Sequence, residues 1–150
     1  SSEGSYRTLI RLAGQECQLL TRLFWRESMV IHTESLRRIT LPYPPSLNTY
    51  YRYVNGRVLI SRRGRAYKEI VAHIMRHVSP SDYPVELNVE VFPPDKRKRD
   101  LDNLLKCLCD SMEGFAYRND HQIYKLTMEK FDPIDKEGRV IVEILEKSNG

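Results

Sequence analysis

The stretch VELNVEVFPPDKRKRDLDNLLKCLCDSM, residues 85–112, decides how the chain reads. In its first eight residues Leu87, Val89 and Val91 alternate with Glu86, Asn88 and Glu90, the pattern of a half-buried strand. Pro93-Pro94 stops that strand. From Asp100 to Met112 the period changes. At about 100° per residue Leu101, Leu104, Leu105, Leu108 and Met112 fall in one arc, with Cys109 at its edge. Asp102, Asn103, Lys106 and Asp110 fall in the opposite arc. Gly114 closes the helix. A strand, a basic turn and an amphipathic helix thus follow one another within 28 residues.

The flanking sequence extends the pattern. Ile39–Tyr43 reads as a short strand ended by Pro44-Pro45, and Asn55-Gly56 between TYYRYV and RVLIS signals a hairpin. GRAYKEIVAHIMRHV places Tyr67, Ile70, Val71, Ile74, Met75 and Val78 on one helical face. QIYKLTMEKF and RVIVEILEK read as two late strands joined through Pro133 and Gly138. The expected fold is α/β, bordering on α+β: a small mixed sheet with two covering helices. Residues 8–25 carry Leu9, Ala13, Cys17, Leu20 and Phe24 at helical spacing, so an N-terminal amphipathic helix is expected as well. The expected division is residues 1–37 as a helical extension and 38–150 as the main domain. Met29 offers a second possible start.

Composition narrows the function classes. At 150 residues one domain with a real core is expected. A net charge of +4 favours polyanionic partners. No run approaches the roughly 18 apolar residues of a membrane span, so no membrane role is expected. Three cysteines, Cys17, Cys107 and Cys109, make no disulfide framework and point to a reducing cytoplasm. Cys107 and Cys109 read as buried helix residues.

Four cations, Lys96, Arg97, Lys98 and Arg99, lead into Asp100 and Asp102. Two readings cover them. In one, Asp100 caps the helix and Asp102 pairs with Lys106, four residues on. In the other, arginines at a helix start grip phosphate. Two carboxylates beside a lysine then supply metal-assisted phosphodiester hydrolysis. Asp120, after the turn that ends the helix, is the candidate third carboxylate; a turn aspartate is the plainer account of it. Asn48, Tyr50, Tyr51 and Arg52 suit a distorted DNA strand, or equally a packed sheet face. Arg62, Arg63, Arg65 and Lys68 form a second basic patch. His73 and His77, at i and i+4, lack an acid or cysteine to complete a metal site. His121 adjoins Asp120.

ITLPYPPSLNTYYR, SRRGRAYK, PPDKRKRDLDNLLKCLCDSM and GFAYRNDHQIYKL together resemble the RusA family of Holliday junction resolvases, in order and spacing, over roughly residues 38–147. The resemblance implies that Asp100, Asp102 and Asp120 bind Mg2+, with Mn2+ a possible substitute, and that Lys106 is catalytic. It implies DNA contacts from Arg99 and the preceding Lys96, Arg97 and Lys98, joined by Asn48, Tyr51, Arg52, Arg62 and Arg63. It also implies a bacterial or phage-encoded homodimer that nicks four-way DNA junctions in two strands of like polarity. The N-terminal extension and Asn119, where relatives can carry an acid, depart from the family pattern. A non-catalytic branched-DNA-binding module, and a nuclease acting on flaps, are the alternatives.

Overall fold

The structure, a computed structural model, describes residues 31–33 and 36–147. It is a mixed α/β fold. The elements run β1 (Ile31–Thr33), β2 (Leu36–Pro42), α1 (Leu47–Tyr50), β3 (Tyr51–Val54), β4 (Arg57–Ile60), α2 (Arg62–Ile74), β5 (Val85–Phe92), α3 (Asp102–Met112), a 3-10 turn (Asp120–Gln122), β6 (Ile123–Lys130) and β7 (Arg139–Glu146). Five strands form one sheet in the order β1-β2-β7-β5-β6; β3 and β4 form a separate hairpin. Sheet pairing begins upstream of residue 38, because β1 and β2 already pair with each other. The N-terminal amphipathic helix lies outside the described residues.

Alternation makes the sheet one-sided, as expected. Val85, Leu87, Val89 and Val91 of β5, Val140, Val142 and Ile144 of β7, and Ile39 and Leu41 of β2 are buried. They share one core with Tyr67, Val71 and Met75 from α2 and its C-terminal end, and with Leu104, Cys107, Leu108 and Met112 of α3. The other face is a polar ladder in which Arg38 pairs with Glu90 at 3.2 Å and Lys125 with Glu86 at 3.1 Å. Asn55 (φ 50°) and Gly56 (φ 74°) are both left-handed, the requirement of a two-residue hairpin turn.

The two late strands do not pair with each other. β5 lies between them, antiparallel to β7 and parallel to β6. Parallel neighbours need a crossover, and α3 supplies it. β5 therefore leads into the start of α3, and the residues after α3 return to the level where β5 begins. Among the described residues Ser81, just before β5, bridges Tyr117, just before β6.

Both covering helices are shorter than their apolar patterns suggest. α2 ends at Ile74, so Val78 is buried from a turn and His77 lies beyond the helix. α3 starts at Asp102, not Asp100, and Leu101 takes the N-cap position with no side-chain cap. The expected cap by the Asp100 side chain is not made. Its backbone oxygen instead accepts from the Asn103 amide at 3.3 Å, a tight turn before the helix proper. Cys107 and Cys109 are buried, as their helical positions indicate. Burial pushes their thiols up, to about 12 and about 11.

α1 and the hairpin dock against the N-terminus of α2 through Gly64. A Cβ there would stand 2.7 Å from Tyr50 Cδ2 and 2.9 Å from the Tyr50 carbonyl oxygen. Alanine would gain about 1 kcal/mol in helix propensity. Overpacking against backbone costs about 1–3 kcal/mol, so Gly64→Ala is expected to destabilise the protein on balance; denaturant unfolding of the two proteins measures this. Because their thiols stay protonated well above neutrality, Cys107 and Cys109 should resist iodoacetamide at pH 8 in the native protein and react once urea unfolds it. Peptide mapping by mass spectrometry reads out both states.

Candidate active site

The basic turn folds back on itself before α3. The Asp95 carboxylate accepts from both terminal nitrogens of Arg99, at 3.0 Å from Nη2, with the second bond to Nη1. It also accepts from the Arg97 amide at 2.9 Å. The Arg99 guanidinium, joined by the Arg97 amide, holds the Asp95 carboxyl far below the usual carboxylate range. Arg99 also lies over the Tyr43 ring, 5.8 Å from its centroid. Its fork is therefore occupied inside the protein, and the exposed cations of the turn are Lys96, Arg97 and Lys98, of which Arg97 also reaches Asp95 at 3.7 Å.

This turn forms one wall of a cleft of about 330 Å³ whose polar lining includes Asn48, Arg63, Lys98, Arg99, Asp100 and Asn103. Five residues singled out in the sequence, Asn48, Arg63, Lys98, Arg99 and Asp100, thus meet in one concavity, although they come from α1, α2 and the turn before α3. The cleft combines cations with amides, the donor set for a phosphate backbone. Arg52 and Arg62 are exposed and do not line it. Tyr51 is half-buried, edge-on to Tyr50 with centroids 4.8 Å apart. Tyr50 is fully buried, which removes it as a stacking surface for bases. Tyr53, two residues beyond Tyr51 in the same alternating run, is 77% exposed and is the aromatic the hairpin offers to solvent.

Along α3 the polar stripe is arranged differently from expectation. Lys106 Nζ bonds Asp110 Oδ1 at 3.0 Å, the i+4 pair on its C-terminal side, in place of the expected pair with Asp102. Asp110 Oδ2 accepts from the buried Tyr50 hydroxyl at 3.0 Å. The Asp110 carboxylate holds the Lys106 ammonium above the ordinary lysine value, with Tyr51 and Asp120 adding to the effect. Lys106 is consequently cationic throughout the neutral range.

Asp120 opens the 3-10 turn before β6, and a dense set of bonds fixes that turn. The Gln122 carboxamide oxygen accepts from the Arg118 and Asn119 amides at 2.8 and 2.9 Å, and its nitrogen donates to the Ser81 and Tyr83 carbonyls at 2.8 and 3.0 Å. Asn119 accepts from the His121 amide at 3.1 Å, so its amide side chain is spent on the turn. The carboxylates of Asp110, Glu113 and Asp120 offer oxygens that lie within 4.8 Å of one another. Three hard oxygen donors at that spacing suit a divalent cation such as Mg2+. Asp110 and Glu113 were not among the candidates from sequence. The signal for Asp110 was its place on the Lys106 stripe; Glu113 stands past the helix end, where periodicity says nothing.

Asp100, Asp102 and Asp120 do not gather in one chain. Asp100 and Asp102 stand at the start of α3, while Asp120 sits beside Asp110, near its other end. Asp102 and Asp110 are eight residues apart, or about 12 Å along the helix axis. None of the three carboxylates accepts a hydrogen bond or makes an ion pair among the described residues. By contrast Asp95, Asp110 and Asp135 are each tied to a cation. His73 meets Arg76 at 3.3 Å and belongs to no acidic or metal-ligating group among the described residues.

The comparisons with known proteins agree on one family. The family model described as Endodeoxyribonuclease RusA matches residues 42–145. The Escherichia coli K12 protein named crossover junction endodeoxyribonuclease RusA is 40% identical over 116 residues, covering 74% of this chain and 95% of the relative. The protein of the same name from Enterobacteria phage 82 is 42% identical over 117 residues, with the same coverage of each chain. The Shigella sonnei relative is 40% identical over 116 residues. With the family model matching most of the chain and relatives of 40% identity aligned over nearly their whole length, this chain belongs to the endodeoxyribonuclease RusA family.

Proposed function

We propose that this protein is a Mg2+-dependent endodeoxyribonuclease that resolves four-way DNA junctions as a homodimer, in the cytoplasm of a bacterium or a phage-infected cell. The names of its relatives support the substrate, and the state of the three aspartates supports the chemistry. Asp95, Asp110 and Asp135 are tied to cations, whereas Asp100 in the cationic cleft, Asp102 at the start of α3 and Asp120 in the turn after it keep their lone pairs open to solvent. That contrast carries the reading, because unpaired carboxylates close to a phosphate-binding surface gain from a cation and lose without one.

In this reading Asn48, Arg63 and Lys98 hold the DNA backbone in the cleft. Arg99, braced by Asp95 and Tyr43, sets the position of the turn and adds positive potential. Exposed Lys96, Arg97, Arg52 and Arg62 extend the cationic surface, with Tyr51 at the base of the hairpin. Lys106, cationic throughout the neutral range, stabilises negative charge that builds up on the phosphate in the transition state. Asp100, Asp102 and Asp120 are the carboxylates toward a divalent cation, with Mn2+ able to replace Mg2+. When bound, that ion lowers the pKa of a coordinated water and neutralises phosphate charge. A four-way junction has approximate two-fold symmetry, which a C2 dimer with two matched sites would meet.

Two outcomes test this reading. Asp102→Asn should abolish nicking of a four-way junction while junction affinity stays within about twofold of wild type, as measured by cleavage and gel-shift assays on the same preparation. Wild-type cleavage by that variant would overturn the assignment. Arg63→Ala should weaken junction binding and make the slope of log affinity against log salt shallower by about 0.9, the loss of one phosphate contact; an unchanged slope would place Arg63 off the DNA.

A further inference from the structure

Three large apolar side chains of the β3–β4 hairpin stay out of the core. Tyr53 is 77% exposed, Val58 55% and Leu59 48%. The hairpin is a separate two-stranded sheet, and such a ribbon has little stability of its own. It is anchored at its base. Tyr51 and Ile60 pack against the core, and the Ser61 amide donates to the Tyr50 carbonyl at 2.7 Å. From that base the two strands, of four residues each, run for about 13 Å to the Asn55-Gly56 turn.

Register sorts the ribbon into two faces. Tyr51 pairs with Ile60 and Tyr53 with Val58, so these four share one face. Arg52 pairs with Leu59 and Val54 with Arg57 on the other. The first face continues from the core into solvent as an aromatic ring backed by an aliphatic side chain. The second adds two exposed cations, Arg52 and Arg57. The ribbon also springs from the rim of the cationic cleft, because Asn48 and Thr49 line the cleft just before β3 and Arg63 lines it just after β4.

We propose that Tyr53, backed by Val58, is a specificity-determining residue: it stacks on the base-pair face exposed at an open branch point and so separates branched from linear DNA. This rests on the four-way junction reading under Proposed function. The cations of the cleft meet phosphates, which every duplex arm presents alike. A base face is accessible only where stacking is interrupted, and there a tyrosine ring gains apolar contact that an unbroken duplex cannot give. A two-stranded ribbon is narrow enough to enter a major groove, and therefore to enter between the arms of an open junction. Arg52 and Arg57 beside the apolar pair match a polyanion in charge, which favours DNA as the occupant of this surface.

Gel-shift titrations of wild type, Tyr53→Ala and Tyr53→Phe test this, on a four-way junction and on a linear duplex of matched sequence, in chelator so that no strand is cut. Tyr53→Ala should weaken junction binding about tenfold, the loss of one stacked base, while duplex binding stays within about twofold. The slope of log affinity against log salt should not change, because no phosphate contact is lost. Tyr53→Phe keeps the ring and should bind the junction within about twofold of wild type. In a second measurement 5-iodouracil at the branch point, irradiated with the wild-type protein, should cross-link to Tyr53, and the same base in the middle of an arm should not. Equal losses on junction and duplex, or no loss on either, overturn the proposal. So does a Tyr53→Ala protein that sediments with a different oligomeric state, since the hairpin is then a contact between copies of the chain. Equal affinity of the wild-type protein for junction and duplex instead overturns the four-way junction reading, and this proposal with it.

Discussion

The parallel pairing of β5 with β6 is the constraint on which the rest of the structure depends. Parallel neighbours cannot be joined by a tight turn, so the chain must cross over, and here it crosses as α3 packed on the buried face of the sheet. That crossover delivers the basic turn, Asp100 and Asp102 to one end of α3. It delivers Asp120 to the other, just ahead of β6. Lys106 and Asp110 lie between. The same helix that buries Leu104, Leu108 and Met112 in the core thus carries Asp102, Lys106 and Asp110 on its wet side. Stability and chemistry use opposite faces of one element.

A second layer of packing sharpens that arrangement. The absence of a side chain at Gly64 lets α2 close onto Tyr50, whose buried hydroxyl reaches Asp110, which in turn holds Lys106. The charged end of Lys106 is therefore set by a chain of contacts that starts at a glycine more than 40 residues away in sequence. On the other side, Asp95 and Tyr43 brace Arg99, so the turn that presents Lys98 to the cleft is held by its own charges.

Much of this was legible in the sequence, for specific reasons. Alternation in VELNVEVF and the Asn-Gly turn each encode one local geometry, and both formed where expected. The apolar arc of α3 was equally readable, because helical period fixes which residues share a face. Three features were not. Asp100 matched the N-cap preference, yet a tight turn through its backbone displaced the helix start by two residues. Lys106 had aspartates at both i−4 and i+4, and the Tyr50 hydroxyl, invisible to a one-dimensional pattern, fixed Asp110 as the partner. The order of the late strands follows from long-range pairing, so the insertion of β5 between β6 and β7 had no local signal. That insertion is what separates Asp120 from Asp100.

The roles proposed for the residues on and around α3 depend most directly on whether this fold cuts branched DNA with metal assistance. The measurement is strand cleavage of a four-way junction and of a linear duplex of matched sequence, at one salt concentration, with Mg2+ and with chelator. Paired nicks are expected in the junction only when Mg2+ is present, with ends that ligase reseals, and little cutting of the duplex. Junction binding with no nicks in Mg2+, or equal cutting of duplex and junction, would contradict it.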